Sequence, residues 1–142
     1  MTAVEASPTV GTAVAGLAGA FVRWLESGER QPGLFADDVF CDLSLPHWRI
    51  QAEGVEAVVG IREGEHPYRG AVRVEALDST SRGFLIQLEE RWEAEGQQWY
   101  CRELIHCVVT DDRISELVVS CTGDWDAQRQ RLHAEQVRLL RP

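Results

Sequence analysis

A chain of 142 residues with 44% hydrophobic side chains and five tryptophans is long enough to close one core of its own, which excludes disorder over most of it. The 14 basic against 23 acidic side chains leave a formal charge of -9, so no basic stripe is on offer to nucleic acid or to an anionic membrane. No run approaches the ~18 apolar residues of a membrane span, and no basic region precedes an apolar run near the N-terminus as in a signal peptide. Cys41, Cys101, Cys107 and Cys121 stand singly with no C-x-x-C spacing. They read as buried free thiols of a reducing cytoplasm, without a zinc site.

In chain order, 1–12 is small and polar with Pro and Gly, and is expected to be a loose tail ahead of a single domain over 13–142. Ala13 to Glu26 has helical spacing, with Val14, Leu17, Ala18, Phe21 and Leu25 on one face and Trp24 beside it. Ser27-Gly28 ends that helix. Leu34 to Asp38 predicts a single helical turn, Val39 to Leu43 a short strand, and Leu45 to Ile50 an irregular strand or loop. Val55 to Glu65 predicts a second helix, weakened by Gly60.

Val72, Val74 and Ala76 open a strand. The stretch from Gly83 to Trp125 then carries three more, joined by the turns Glu95-Gly96-Gln97 and Thr110-Asp111-Asp112. Phe84, Ile86, Leu88, Glu90 and Trp92 alternate with more polar neighbours, as do Trp99, Cys101, Glu103, Ile105 and Cys107. Ile114 to Cys121 is rich in β-branched residues. Asp124 or Asp126 caps a last helix running to about Leu140. The order predicts an α+β fold with helices gathered on one face of a bent sheet.

The segment Phe35-Ala36-Asp37-Asp38-Val39-Phe40-Cys41-Asp42, the helix before Val72, and Asp112-Arg113-Ile114-Ser115-Glu116 together resemble the nuclear transport factor 2-like superfamily over roughly 13–125. Within it the chain is most similar to the SnoaL-like small-molecule branch of polyketide cyclases, ketosteroid isomerases and limonene-epoxide hydrolases. The resemblance implies a cone-shaped curved antiparallel sheet, wrapped by helices around an apolar pocket and commonly paired as a homodimer through its outer face. It also implies cofactor-independent isomerisation, cyclisation or epoxide opening on an apolar oxygenated small molecule, as in natural-product biosynthesis. Asp42 falls where ketosteroid isomerases place a proton-shuttling Asp and epoxide hydrolases a water-holding Asn. Glu90 falls near the epoxide hydrolases' second Asp, and Ile105 or His106 where isomerases hold an oxyanion-binding acid. Two positions depart from the pattern: Val119 stands for the last strand's catalytic Asp, and Leu88 for an Arg.

Parity gives a second, independent reading. The apolar faces of the two central strands look inward and carry Glu90 and Glu103 with them. Two carboxylates on an apolar wall are costly to ionise together, which suits them to acid–base work. Glu90 and Glu103, with Asp42 as the resemblance implies, are the candidate catalytic residues. Phe40, Trp92, Trp99, Val119 and Cys121 are the candidate substrate wall, with His47 and Trp48 over the mouth and Asp124 at the rim. His106 has the wrong parity and is a lesser candidate. For each acid the alternative is a solvated ion pair or a loop cap. The same cone without chemistry, as a binding or dimerisation module, is the competing reading.

Overall fold

The structure, a computed structural model, describes residues 11–142. The expected tail lies outside the described residues, except for Gly11 and Thr12, which cap and open the first helix. The elements in order are α1 (Thr12–Ser27), β1 (Phe35–Leu45), β2 (Trp48–Glu53), α2 (Val55–Glu65), β3 (Gly70–Thr80), β4 (Gly83–Ala94), β5 (Gln97–Thr110), β6 (Arg113–Cys121) and α3 (Ala127–Gln136). The predicted fold class stands. A single six-stranded sheet runs in the order β2-β1-β6-β5-β4-β3. It is curved and unclosed, and every pairing is antiparallel except β1 with β6, which is parallel.

That parallel pair explains the main departure from the local reading. Leu34 to Asp38 is not a helical turn: Phe35 already pairs with Ile114, and the Leu34 carbonyl accepts from the Ile114 N–H at 2.9 Å. A register shift between Phe35 and Phe40 absorbs the surplus residues and leaves Asp37 and Asp38 in solvent. Pairing with a strand some 80 positions away thus overrides the local preference.

α1 lies across the concave face, packed against β3 and β4, while α2 packs on β1 and β2. Phe21, Trp24 and Leu25 of α1 meet Phe84, Ile86 and Leu88 of β4, Ile105 and Cys107 of β5, and Leu117 and Val119 of β6 in one core. Each such side chain, removed from water, contributes about 1.5–3 kcal/mol. Gly28 stops α1 in the left-handed conformation, φ 76°, returning its N–H to the Trp24 carbonyl at 2.8 Å. At the start of β4 a side chain on Gly83 would run into the Cys107 carbonyl oxygen of β5. Gly83→Ala is therefore expected to lose about 1–3 kcal/mol of stability by overpacking, read from urea unfolding.

α3 is capped by Asp126, whose Oδ1 accepts from the Arg129 N–H at 2.8 Å, and it ends at Gln136. It lies against β5 and buries no residue. No helix of the described residues is long and apolar enough to cross a membrane.

Candidate active site

Between α1, α2 and the concave face lies a cavity of about 600 Å³. Leu43, Leu45, Ile61, Ile105 and Val119 are among its apolar walls, and its polar groups are Arg62, His66, Glu90, Cys101, Glu103, Cys121 and Asp124. Strand alternation brings the acids in as expected: Glu90 is 3% exposed and Glu103 9%. In the β4–β5 register Cys101 stands opposite Glu90 and Glu103 opposite Leu88, so the carboxylates are diagonal neighbours. Ligating atoms of Glu90, Cys101 and Glu103 all lie within 4.8 Å of one another.

The charge that makes this arrangement tolerable comes from α2. Arg62 grips Glu90 with both arms, Nη1 to Oε2 at 2.9 Å and Nη2 to Oε1 at 2.6 Å. Nη2 also donates to the Leu25 carbonyl at 2.9 Å, tying α2 to the end of α1. A cation seated among Glu90, Cys101 and Glu103 would have to displace this guanidinium. One proton then makes the cluster neutral: Arg62 positive, Glu90 negative, Glu103 protonated.

The two acids are pushed apart accordingly. Burial alone would raise Glu90, but the hydrogen bond from Glu103 and the Arg62 pair outweigh it and hold the carboxyl at about 2. Burial, and next the charge of Glu90, push Glu103 well above the ordinary 4.5. Glu103 is thus pushed toward its neutral, protonated form, beside a carboxylate held ionised.

This carries a stability consequence. A carboxyl whose folded pKa is raised favours the fold fully below 4.5, and that contribution drains away as pH climbs toward the folded value. Glu103→Gln keeps a neutral donor without the ionisation. It should match the wild type near pH 5 and gain on it by up to about 1.4 kcal/mol per pH unit above that. Urea unfolding from pH 5 to 8 measures the gap, and parallel curves would show that Glu103 ionises inside the fold.

His66 completes the wall. It follows Arg62 by four residues at the end of α2, so one helix face presents both. Its ring sits 4.1 Å from that of Trp92, and neither ring nitrogen has a hydrogen-bond partner among the described residues. Burial, followed by the nearby Arg62 charge, keeps it below 6.5 and therefore neutral, while Glu90 and the backbone of His66 and Tyr68 pull less strongly the other way.

The remaining sequence candidates divide. Val119, Cys121 and Asp124 line the cavity, and Trp48 reaches its rim while 70% exposed. Asp124 is thus at the mouth and is not the helix cap. Trp92 and Trp99 stack at 6.4 Å but border a smaller cleft behind His66, so they back the histidine and do not wall the main cavity. Asp42 requires a correction. Cys41 and Leu43 point inward, which turns Asp42 to the outer face, where Arg49 of β2 holds it through two hydrogen bonds of 2.8 and 2.5 Å. Phe40 shares its parity and does not border the cavity. His47 is exposed in the β1–β2 turn at φ 63°. His106 lies outside the cavity and shares a hydrogen bond with Thr80 at 2.9 Å.

Arg62 and His66 are the residues that strand parity missed. The signal was in α2: Val55, Val58 or Val59, Arg62 and His66 follow one helical stripe, and the stripe turns from apolar to charged in its second half.

Solved structures share this architecture. An NTF2-like protein from Mesorhizobium loti superposes with a TM-score of 0.61 at 19% identity, over 84% of this chain and 100% of that one. The fold is nuclear transport factor 2-like. An LEH-like epoxide hydrolase from M. tuberculosis gives 0.62 at 12% identity, over 78% of this chain and 83% of its own. A candidate ketosteroid isomerase from Kribbella flavida gives 0.57 at 17% identity, over 92% and 91%. No family model and no curated protein matches the sequence. Members of the nuclear transport factor 2-like fold with different chemistries thus resemble this chain about equally, and its reaction has to be read from its own side chains.

Proposed function

We propose that this protein is a cofactor-independent acid–base enzyme acting on an apolar, oxygen-bearing small molecule by isomerisation, cyclisation or epoxide opening. The observation that carries the reading is the buried Glu103 carboxyl, pushed toward its protonated form where it lies beside the Glu90–Arg62 pair in an otherwise greasy cavity. Glu103 gives its proton to the substrate oxygen as negative charge develops there. His66, neutral and with free ring nitrogens, takes a proton from water or from the carbon beside a carbonyl. Glu90 does not donate, because it carries no proton; with Arg62 it fixes the charge state of its neighbour. The likeness to an epoxide hydrolase and a candidate isomerase supports this class of chemistry.

The test is product formation from two probe sets, cyclic and aryl epoxides on one side and β,γ-unsaturated ketones on the other. Turnover of one set, reduced about 10²-fold or more in Glu103→Gln, is the expected result. Val119, apolar at the site where related enzymes carry an acid, favours one competing outcome: saturable binding of both sets without product, which would make the cone a non-catalytic binding module. The same reading has two copies pair through the outer sheet face, where Leu104 and Val118 are 48% and 38% exposed, and light scattering reads that state.

A further inference from the structure

Of the three thiols in the cavity wall, all left unused by the acid–base reading, two sit together on adjacent strands. Cys121 closes β6, Cys101 lies on the adjacent β5, and both line the cavity. Cys121 packs against the small cluster of Trp92, Ala94 and Cys101. After Cys121 the Thr122 N–H still donates to the Arg102 carbonyl of β5 at 3.0 Å, and the next bridge joins Tyr100 and Trp125. Between them Gly123, at φ 78°, points its N–H at the Cys121 sulfur, 3.4 Å away.

The sulfurs are unlike. Cys101 Sγ donates toward Glu103 Oε1 at 3.6 Å and Glu90 Oε2 at 3.9 Å, with Cys121 packed beside it. Its one S–H proton thus faces two carboxylates. Cys121 instead receives the Gly123 N–H, as a thiolate would. The Cys101 hydrogen bond lowers the Cys121 thiol despite the cost of burial, and Gly123 adds to the effect. The remaining thiols differ from both: Cys107 is fully buried and Cys41, buried beside Asp42, is pushed up to about 11.

We propose that Cys121 and Cys101 form a dithiol site that reduces apolar organic hydroperoxides entering the cavity, Cys121 attacking and Cys101 resolving. The Cys121 thiolate attacks the terminal peroxide oxygen, forming an S–O bond and breaking O–O. The alkoxide leaves with the Glu103 proton as an alcohol, and Cys121 becomes a sulfenic acid. The Glu103 carboxylate then takes the Cys101 proton across their 3.6 Å contact. Cys101 sulfur attacks the Cys121 sulfur, the disulfide forms, and hydroxide departs with that proton as water. In sum the Cys121 thiolate, the Cys101 thiol, the Glu103 proton and one hydroperoxide give a disulfide, an alcohol and water; Glu103 regains its proton from solvent, and an external dithiol returns the pair to its reduced state.

The apolar walls set the preference for an organic hydroperoxide over hydrogen peroxide. The step uses the Glu103 proton but is read on sulfur, so it stands or falls separately from the isomerase or hydrolase reading. Wild type treated with one equivalent of cumene hydroperoxide should lose two hydrogens by intact mass and keep two of its four free thiols. Cys101→Ser should stop at the sulfenic acid, gaining one oxygen that dimedone captures. Cys121→Ser and Cys121→Ala should keep every remaining thiol. Four free thiols in the treated wild type would overturn the proposal, as would thiol loss undiminished in both Cys121 variants. Hydrogen peroxide reacting as fast as cumene hydroperoxide would overturn the assigned substrate class.

Discussion

Arg62→Met is expected to cost about 3–5 kcal/mol of unfolding free energy, the usual penalty for removing one partner of a buried ion pair. The methionine replaces most of the side-chain volume, so the loss is electrostatic in origin. Glu90 would be left as a carboxylate 3% exposed, with both oxygens deprived of the Arg62 donors, and the Leu25 carbonyl would lose its hydrogen bond as well. The stranded carboxyl would then have to take up a proton to stay buried. Its folded pKa would rise above the unfolded one, so the variant should be least handicapped in acid and worst near neutrality. Adding Glu90→Gln removes the charge that needs a partner, and Arg62→Met/Glu90→Gln should recover most of the loss. Urea unfolding of the two single variants and the double variant closes the cycle. A double variant as unstable as the sum of the singles would mean that Arg62 acts through packing and not through charge.

Strand alternation placed Glu90 and Glu103 correctly because parity is a local property, and both strands have one face too apolar to lie outside. Asp42 was misplaced because it entered the site by resemblance alone. In β1 the alternative faces are Val39-Cys41-Leu43 and Phe40-Asp42, and the first is the greasier one, so alternation itself turns Asp42 outward. The register with β6 sets Asp42 beside Val118 on the outer face and Cys41 beside Leu117 on the inner. Pairing with β6 thus agrees with the local alternation of residues 39–43, and only the residues between Phe35 and Phe40, where the register shifts, lie beyond what alternation foresees. α2 was located to the residue. Its chemistry went unread because parity was applied to the strands alone, whereas Arg62 is an arginine on the buried stripe of a short helix. Buried arginine needs an acid, and the sequence had already put one inside the cone.

A bell-shaped pH dependence of turnover is expected, with its two limbs owned by residues on different elements. His66 must be neutral to accept a proton. Its pKa is held below 6.5 chiefly by burial, so activity rises with pH through that lowered value and the acid limb lies on the acid side of 6.5. Glu103 must be protonated to donate, so activity falls as pH rises through its elevated value, placing the alkaline limb well above 4.5. Glu90, held at about 2, contributes no limb in the range where the protein is folded. His66→Gln should lose about 10²–10⁴-fold in kcat/KM together with the acid limb. Glu103→Gln should lose a similar factor together with the alkaline limb. The pairing of limb with residue separates chemistry from mere packing, since a distorted cavity lowers the whole curve and leaves both limbs in place. An acid limb that survives in His66→Gln would assign the base to another group, and the ionised Glu90 would then be the acceptor left in the cavity.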